Sequence, residues 1–264
     1  MKPQLSVTIV AYHNYEQIKT AITSIERYTS PAITKKIYIS DNSVFENSAV
    51  SKEKSDFMTF LAKYKDVEYI DNKENLGFGR GHNVVIDRIE SDYHAIVNPD
   101  IEIKEDVFSA ILSYMNEENT VGMVIPKIVD ENGQIQAAYR EYPTILDVFI
   151  RMFCKSLFKK RQAEHTLQSK DYTEPFQVPF AQGCFLVIRT EIFKALRGFD
   201  DRYFMYMEDT DLCRRVNEKS RVMYYPGASV THAWEQGSHK NMKLMKIHIK
   251  SMLSYFNKWG WELF

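Results

Sequence analysis

The 264-residue chain is 44% hydrophobic and 26% charged, which is typical of a globular protein and unlike a disordered one. Its 34 Lys and Arg residues balance 35 Asp and Glu residues, and a net charge of -1 argues against nucleic-acid binding. Three cysteines without a CxxC motif predict neither a disulfide framework nor a zinc ribbon. Because no apolar run reaches membrane-spanning length and no signal peptide is recognisable, we expect a cytoplasmic protein.

Strand-like and helix-like segments alternate along the first half of the chain. Residues 5–10 form a short, β-branched apolar run typical of a buried strand, and residues 18–25 then place apolar side chains at helical spacing. Further strands are predicted at 36–40, 67–70, 94–97, 122–125, 180–189 and 221–225, and further helices at 52–64, 80–90 and 106–117. This alternation predicts an α/β fold with a mostly parallel central sheet flanked by helices.

Polar residues follow the predicted strands at the point where each strand ends. Asp41 follows the second strand, Asp71 the third, and Asn98 and Asp100 the fourth. Each of them alone is also consistent with an ordinary turn or helix cap. Since ligands bind at the carboxyl ends of strands in such sheets, the set predicts a site for a polar ligand or a metal.

A glycine-rich stretch lies between the third and fourth strands. Gly77, Gly79 and Gly81 alternate at the start of a predicted helix, and Arg80 lies among them. Glycine lets backbone approach a ligand closely, and a helix N-terminus with an arginine favours phosphate. The spacing is not that of a dinucleotide fingerprint, so a plain loop remains the alternative.

An acidic cluster opens a predicted helix in the second half of the chain. Glu208, Asp209 and Asp211 follow the aromatic run 203–206. One carboxylate would suffice to complement the helix dipole, so three beside aromatic rings indicate a general base in a sugar-sized pocket. Asp209 and Asp211 would lie about 200° apart around the helix, and we expect Asp211 to face the sheet or Arg214–Arg215.

Two segments are basic and amphipathic. In 145–161, apolar residues repeat at helical spacing and alternate with Arg151, Lys155 and Lys159. The tail from 236 to 261 holds five Lys, two His and no acidic residue. Such helices are typical of membrane-surface elements, and packing of both segments on the sheet is the alternative.

Seven short motifs occur in a fixed order along the chain. They are Val7–Tyr12, Asp41-Asn42-Ser43, Asn75-Leu76-Gly77-Phe78-Gly79, Asn98-Pro99-Asp100, Gly198-Phe199-Asp200, Glu208-Asp209-Thr210-Asp211-Leu212 and His232. Together, over about residues 5–235, they resemble the inverting family 2 glycosyltransferases with the GT-A fold, above all the bacterial rhamnosyltransferase type. The resemblance implies one GT-A domain over 1–235 (nucleotide-binding half 1–125, acceptor-binding half 126–235), followed by an amphipathic helical segment over 236–264.

The resemblance also implies a role for each motif residue. Nucleotide binding would involve Tyr12, Asp41, Asn75, Gly77, Arg80 and Asn98. Asn98 stands where the family's Asp-x-Asp motif has its first Asp, so Asp100 and His232 would be the ligands of Mg²⁺ or Mn²⁺. Asp209 would be the catalytic base, with Glu208 and Asp211 supporting it or contacting the acceptor.

The implied activity is single-displacement transfer of a sugar from a nucleotide donor to a lipid-linked saccharide during cell-surface polysaccharide synthesis. The preferred donor is dTDP-L-rhamnose, with a UDP-hexose as the alternative. The enzyme would act at the inner face of the cell membrane, in peripheral contact with anionic lipid. Homo-oligomer formation is left open.

Two other classes of function are weighed against this one. A sugar-nucleotide nucleotidyltransferase would need a basic, Gly-rich loop after the first strand, but residues 11–17 contain no Gly, Lys or Arg. A non-catalytic nucleotide-sugar binder would not need Asp100, Asp209 and His232 together.

Overall fold

A computed structural model describes residues 2–45, 52–153, 157–233 and 242–263 of the chain. Its helices are α1 (Tyr15–Tyr28), α2 (Lys52–Leu61), α3 (Phe78–Asn83), α4 (Val107–Glu117), α5 (Ile145–Phe153), α6 (Lys159–His165), α7 (Thr190–Ala195), α8 (Glu208–Asn217) and α9 (Met242–Trp259). Its strands are β1 (Leu5–Ala11), β2 (Lys35–Asp41), β3 (Val67–Asp71), β4 (Tyr93–Val97), β5 (Ile101–Ile103), β6 (Val121–Val129), β7 (Tyr139–Arg140), β8 (Phe176–Gln177), β9 (Phe180–Ala181), β10 (Phe185–Arg189) and β11 (Arg221–His232).

One large sheet forms the centre of the part of the chain that the structure describes. Its strand order is β3-β2-β1-β4-β10-β6-β11-β5, and β8 pairs with β11. The four strands at the β3 end are parallel, as the alternation of elements predicted. β10 lies antiparallel between β4 and β6, while β6 and β11 are parallel to each other. The carboxyl ends of β1, β2 and β3 therefore share one edge of the sheet.

Burial explains why the first half was readable from the sequence. All but one of the seven residues of β1 are buried, and its apolar residues are interrupted only by the buried Ser6 and Thr8. α1 buries Ile18, Ala21, Ile22 and Ile25, which is the face that its helical spacing predicted. The predicted helix at 80–90 is shorter, because α3 ends at Asn83 and a 3₁₀ turn follows at Ile86–Arg88.

One polar network lies inside the core. His94 on β4 has no exposed surface, and its two ring nitrogens lie 2.7 Å from Ser6 Oγ and 3.2 Å from Thr8 Oγ1 on β1. Burial lowers the pKa of His94 to about 3, so the ring is neutral at physiological pH. The network joins β1 to β4 and does not belong to the strand-end site.

The two amphipathic segments meet in the fold. The backbone N–H of Ile145 at the start of α5 donates to Glu262 O, just past α9, at 2.9 Å. Val148 of α5 packs in one cluster with Tyr255 and Phe256 of α9. The predicted continuous helix over 145–161 is two helices, α5 and α6. Lys155 and the expected boundary at 235/236 lie outside the described residues.

Candidate active site

Asp100 and His232 converge although 132 positions separate them in the sequence. Asp100 follows β4, His232 ends β11, and His232 Nε2 lies 3.2 Å from Asp100 Oδ2. The His232 side chain is 5% exposed and that of Asp100 18% exposed, so the pair is partly shielded from water. Burial lowers the pKa of His232, but its hydrogen bonds to Asp100 and Cys184 outweigh this effect and raise the pKa to about 10.

Gln136 fixes the orientation of the His232 ring. Gln136 Nε2 donates to the backbone oxygen of His232 at 2.8 Å, so the amide oxygen Oε1 must face the ring, where it lies 3.0 Å from Nδ1. Nδ1 therefore carries the proton that Oε1 accepts. Nε2, on the Asp100 side, carries the second proton while the ring is charged, and it is the nitrogen that a cation would take by displacing this proton.

The surroundings of this pair fit a hard divalent cation. Within the described residues, Asp100 Oδ1 and Asn98 Oδ1 are buried oxygens without a hydrogen-bond partner. Carboxylate and carbonyl oxygens with one imidazole are suitable ligands for Mg²⁺ or Mn²⁺. A cavity of about 400 Å³, lined in part by Asp100 and Thr231, opens beside the pair. Within the described ranges, no group of three or more His, Cys, Asp or Glu side chains is placed so that it could hold a metal ion. Substrate or water would therefore supply the further ligands.

Glu208 and Asp209 begin α8 as two adjacent carboxyl groups with different environments. Burial raises the pKa of Glu208 well above its usual range, and the Asp209 carboxylate raises it further. Burial also raises the pKa of Asp209, but backbone N–H groups of Thr210 (2.7 Å) and Gly183 (3.2 Å) donate to it and stabilise the ionised form. The pKa of each carboxyl group is therefore raised, and Asp209, the predicted base, is the one whose ionised form accepts from the N–H groups of Thr210 and Gly183.

Residues 183 and 184 connect the base to the Asp100–His232 pair. The N–H of Gly183 donates to Asp209, and the adjacent Cys184 O accepts from the N–H of Asn98 at 2.8 Å. The Cys184 side chain hydrogen-bonds to His232. A Cβ added at Gly183 would lie 3.1 Å from Asp209 Cβ, so the position demands a small residue. The structure therefore brings Asn98, Asp100, His232 and Asp209 to one region.

Asp211 does not contact that region. It is fully buried, and it pairs with Arg215 Nε at 2.6 Å and with Lys258 Nζ at 2.6 Å. The indole N–H of Trp259 also donates to Asp211, at 2.8 Å. As expected from the helical angle, Asp211 faces Arg215. It supports α8, and direct contact with an acceptor, the other role considered for it, does not fit its burial.

The nucleotide end of the predicted site is partly closed. Tyr12 is 52% exposed at the end of β1, but Asp41 has no exposed surface. Tyr15 and Tyr69 donate to Asp41 Oδ2 at 2.7 and 2.5 Å, and the Ser43 N–H donates to Oδ1 at 2.8 Å. The contact of Asp41 with a nucleoside stays a prediction, and in the structure this carboxylate holds the loop after β2 together.

The glycines of the 75–81 stretch approach protein and not a ligand. Gly77 has a φ of +79°, and a Cβ there would lie 2.0 Å from Phe204 O. The Gly77 N–H donates to Asn75 Oδ1 and the Phe78 N–H donates to Phe204 O, both at 2.9 Å. These amides are occupied, so the expected anion-binding helix start is not formed by Asn75 and Gly77. Arg80 is exposed on the surface of α3.

Several residues of this region were missed by the sequence reasoning. Gln136 lies in a polar turn with no distinguishing pattern, and Gly183–Cys184 was read only as the start of a strand. Lys258 was counted only as one basic residue of the tail. A cavity of about 800 Å³ lies at the opposite end of the sheet beside Gln4 and Tyr93, away from the predicted residues.

The fold is that of a GT-A glycosyltransferase. A crystal structure of GalNAc-T7 with UDP, GalNAc and Mn²⁺ matches 98% of the chain with a TM-score of 0.67 at 16% identity. The mannosyltransferase PcManGT from Pyrobaculum calidifontis, in complex with GDP-Man and Mn²⁺, matches 97% with a TM-score of 0.65 at 13% identity. The match covers 48% of the first structure and 65% of the second.

The chain belongs to glycosyl transferase family 2, whose sequence profile matches residues 6–197. Among similar proteins, rhamnosyltransferase WbbL of Escherichia coli is 27% identical over 204 residues, which is 73% of this chain and 74% of WbbL. N-acetylglucosaminyl-diphospho-decaprenol L-rhamnosyltransferase of Mycobacterium tuberculosis is 27% identical over 186 residues, 65% of this chain. That alignment covers 60% of the mycobacterial protein. In sequence, the chain is thus rhamnosyltransferase-like.

Proposed function

We propose that the protein is a metal-dependent, inverting glycosyltransferase that moves a sugar from a nucleotide donor to a hydroxyl of a lipid-linked saccharide in polysaccharide synthesis. One observation carries the proposal. The Asp100–His232 pair and the carboxylate of Asp209 are held by two consecutive residues, Gly183 and Cys184. A leaving-group site and a base are thereby placed side by side, as a single displacement requires.

The donor is proposed to be dTDP-L-rhamnose. The support is the name of two relatives, WbbL and the mycobacterial enzyme, which are both rhamnosyltransferases. A UDP-hexose is the second candidate, since a similar fold binds UDP in GalNAc-T7. Tyr12, Arg80 and Asn98 would contact the nucleotide, while Asp41, Asn75 and Gly77 would shape the loops around it.

Asp100 Oδ2 and His232 Nε2 are the atoms proposed to hold Mg²⁺ or Mn²⁺, with Asn98 Oδ1 facing the diphosphate or a bound water. When bound, the cation would neutralise the negative charge that develops on the departing nucleoside diphosphate. Gln136 would hold the proton on Nδ1, so that the cation displaces the Nε2 proton.

Asp209 is proposed to take the proton of the acceptor hydroxyl as that oxygen attacks the sugar. The N–H groups of Gly183 and Thr210 orient the carboxylate, and burial makes it more basic than an exposed Asp. Burial raises the pKa of Glu208, which limits the charge repulsion beside Asp209. Since the hydroxyl attacks opposite the leaving diphosphate, the sugar is transferred with inversion.

The acceptor side is proposed to lie against an anionic membrane. No helix within the described ranges is both long and apolar enough to cross a bilayer. Phe149 of α5 is 50% exposed, and Ile249 and Leu253 of α9 are 37% and 45% exposed. Lys246 and Lys250 are exposed beside them on α9. We name these five residues the α5–α9 surface; its apolar and basic character suits the interface of an anionic bilayer.

The function is tested by a transfer assay with a synthetic N-acetylglucosaminyl-diphospho-prenol as acceptor. The donors are dTDP-rhamnose, UDP-glucose, UDP-N-acetylglucosamine and GDP-mannose, each with Mg²⁺, Mn²⁺ or EDTA. Asp209→Asn keeps the shape of the side chain but cannot take a proton, and it should lower the transfer rate about 10²–10⁴-fold with donor binding unchanged. Glu218→Gln, at the exposed far end of α8, is the matched control and should retain full activity. A fully active Asp209→Asn would refute the assignment of the base.

The membrane contact is tested with vesicles of phosphatidylglycerol and of phosphatidylcholine. The wild type should bind the anionic vesicles and dissociate as salt rises, because each lysine contributes about 1 kcal/mol that salt screens. Replacing both Lys246 and Lys250 by Glu should weaken binding at least tenfold. Deleting α9 is not a valid test, since it would uncover the buried Tyr255 and Phe256. Binding that is equal on both vesicle types would contradict the proposal.

A further inference from the structure

A small cavity lies between α5 and α6, outside the region of Asp100, His232 and Asp209. Its volume is about 140 Å³, and its lining includes Arg140, Asp147, Arg161 and His165. Pockets for whole drug-sized ligands are larger, about 300–1,000 Å³. The cavity therefore suits one compact polar group and not a complete nucleotide sugar.

The cavity has a positive balance of charge. Asp147 is its only acidic lining residue, and this carboxylate already accepts from Arg161 Nε at 2.6 Å and Thr144 Oγ1 at 2.7 Å. Burial alone would raise the pKa of Asp147, but the hydrogen bonds of Arg161 and Thr144 lower it, so Asp147 is ionised. The lining thus holds two guanidinium groups, of Arg140 and Arg161, against this single carboxylate, and His165 adds a further nitrogen.

The cavity is linked to the proposed base and to helix α5. The Arg140 charge acts on Asp209 and opposes the rise of its pKa. Val148 and Ile150 of α5 line the cavity, and Phe149, between them in the sequence, is half-exposed. The cavity therefore shares a charged residue with the surroundings of Asp209 and shares a helix with an exposed apolar side chain.

We propose that Arg140 and Arg161 form a subsite for a phosphate group of the acceptor's lipid diphosphate. This inference rests on the proposed function, in which a sugar acceptor is joined through diphosphate to a lipid. Such a molecule places its sugar at one end, its lipid at the other and its negative charges between them. In this chain the cationic cavity is linked to Asp209 through the charge of Arg140 and to the exposed Phe149 through α5. Guanidinium groups are well suited to phosphate because they donate two parallel hydrogen bonds.

The test measures binding directly, so that it does not depend on transfer. The probe is farnesyl diphosphate, titrated calorimetrically into the full chain with EDTA present, which removes any metal-dependent contribution. Arg161→Met and Arg140→Met should each raise the Kd at least tenfold, since a hydrogen bond to a charged group contributes about 1.5–3 kcal/mol. The matched control is Lys160→Met, which removes the same charge one position away from a side chain that is 93% exposed. The Kd of Lys160→Met for farnesyl diphosphate should stay within twofold of the wild-type value.

Three comparison ligands identify the source of the phosphate. Farnesol, which has no phosphate, should bind at least tenfold more weakly than farnesyl diphosphate, and so should inorganic diphosphate. Binding to phosphatidylglycerol vesicles should be the same for Arg161→Met and wild type. Equal affinity for inorganic diphosphate would overturn the assignment to a lipid-linked group, and vesicle binding that depends on Arg161 would indicate a phospholipid headgroup instead.

The remaining outcomes are also decisive. Unchanged farnesyl diphosphate binding by both arginine variants overturns the subsite, and equal weakening by Lys160→Met would show a non-specific charge effect. Arg161→Met removes a partner of Asp147 and is checked by thermal unfolding. Arg140→Met leaves the α5–α6 ion pair intact and tests the subsite independently of that contact. If the wild type transfers no sugar but binds farnesyl diphosphate in this pattern, the proposed function fails and the subsite stands.

Discussion

Replacing Lys258 by Met should destabilise the start of α8 and slow catalysis, although Lys258 is not proposed to contact substrate. Lys258 Nζ lies 2.6 Å from Asp211 Oδ1 and 2.7 Å from Asp200 Oδ2. It thereby joins α9 both to the loop before α8 and to α8 itself, two residues from the base Asp209. Tyr206 and Met207, which precede the helix, have φ values of +71° and +69°. Left-handed backbone costs about 1–2 kcal/mol per residue and persists only where neighbouring contacts enforce it.

The expected loss of stability follows from the two carboxylates that Lys258 contacts, Asp200 and Asp211. Burial raises the pKa of Asp200, but hydrogen bonds from Lys258 and Arg202 outweigh it and lower the pKa from 3.8 to about 2. At 1.36 kcal/mol per pH unit this corresponds to about 2.5 kcal/mol, shared between the two cations. Asp211 is fully buried, but it keeps its contacts with Arg215 and Trp259 after the substitution. Breaking the Lys258–Asp211 pair should therefore cost less than the 3–5 kcal/mol typical of a broken buried ion pair. We expect the free energy of unfolding to fall by about 3 kcal/mol.

The assay compares urea unfolding and transfer kinetics of Lys258→Met, Lys258→Arg and the control Lys243→Met, an exposed lysine on the same helix. Lys258→Met should lower kcat about 10–100-fold, because a small displacement of Asp209 is costly, and should leave the KM for the donor unchanged. Lys258→Arg should restore part of the loss, and Lys243→Met should behave as wild type. A Lys258→Met variant with normal stability and kcat would refute the reasoning.

Two further predictions concern residues outside α8. Gln136→Leu should weaken Mn²⁺ binding about 10–100-fold in the presence of nucleoside diphosphate, because the His232 ring loses the acceptor that holds its Nδ1 proton. The affinity is measured by electron paramagnetic resonance, and an unchanged affinity would contradict this prediction. Because burial lowers the pKa of His94 from 6.5 to about 3, the unfolded chain binds one proton more than the native protein between these values. Stability should therefore be unaffected by this group above pH 6.5 and fall by about 1.4 kcal/mol per pH unit below it, a slope that His94→Asn should reduce in urea titrations.

The first half of the fold was predictable because its signals are local. β1, β2 and β4 are mostly buried and rich in apolar, β-branched residues, and α1 shows one apolar face. The strand ends then placed Asp100 and His232 at one edge of the sheet. Short elements gave no such signal: β5 has three residues and β7 two, too few to show a period. The direction of β10 is set by pairing with distant strands, which the sequence does not display.

The tail shows a different limit of sequence reasoning. Its apolar face predicted a helix, and α9 forms, but an apolar face is satisfied equally by a membrane or by protein. The structure buries one part of the helix in protein and leaves another part exposed. Tyr255 and Phe256 are buried against α5, while Ile249 and Leu253 are exposed. Lys258 appeared to be one more cation of a basic surface, yet its charge is used inside the protein, because Asp200 and Asp211 are brought to it by the fold.

A similar limit applies to the glycines: the sequence predicted a ligand beside Gly77 and gave no role to residues 183 and 184. Glycine signals a close approach, but the sequence does not say whether ligand or protein comes close. At Gly77 the neighbour is Phe204 O, in the loop that leads to α8, whereas at Gly183 it is the base Asp209. Both glycines thus hold α8 against the sheet. Since Gly183 binds Asp209 and Cys184 binds both Asn98 and His232, a shift of α8 would be transmitted to the proposed leaving-group site. Lys258 holds the start of α8 through Asp200 and Asp211, so it stands at the beginning of this series of contacts. A substitution of this lysine should therefore change kcat although Lys258 is not proposed to contact substrate.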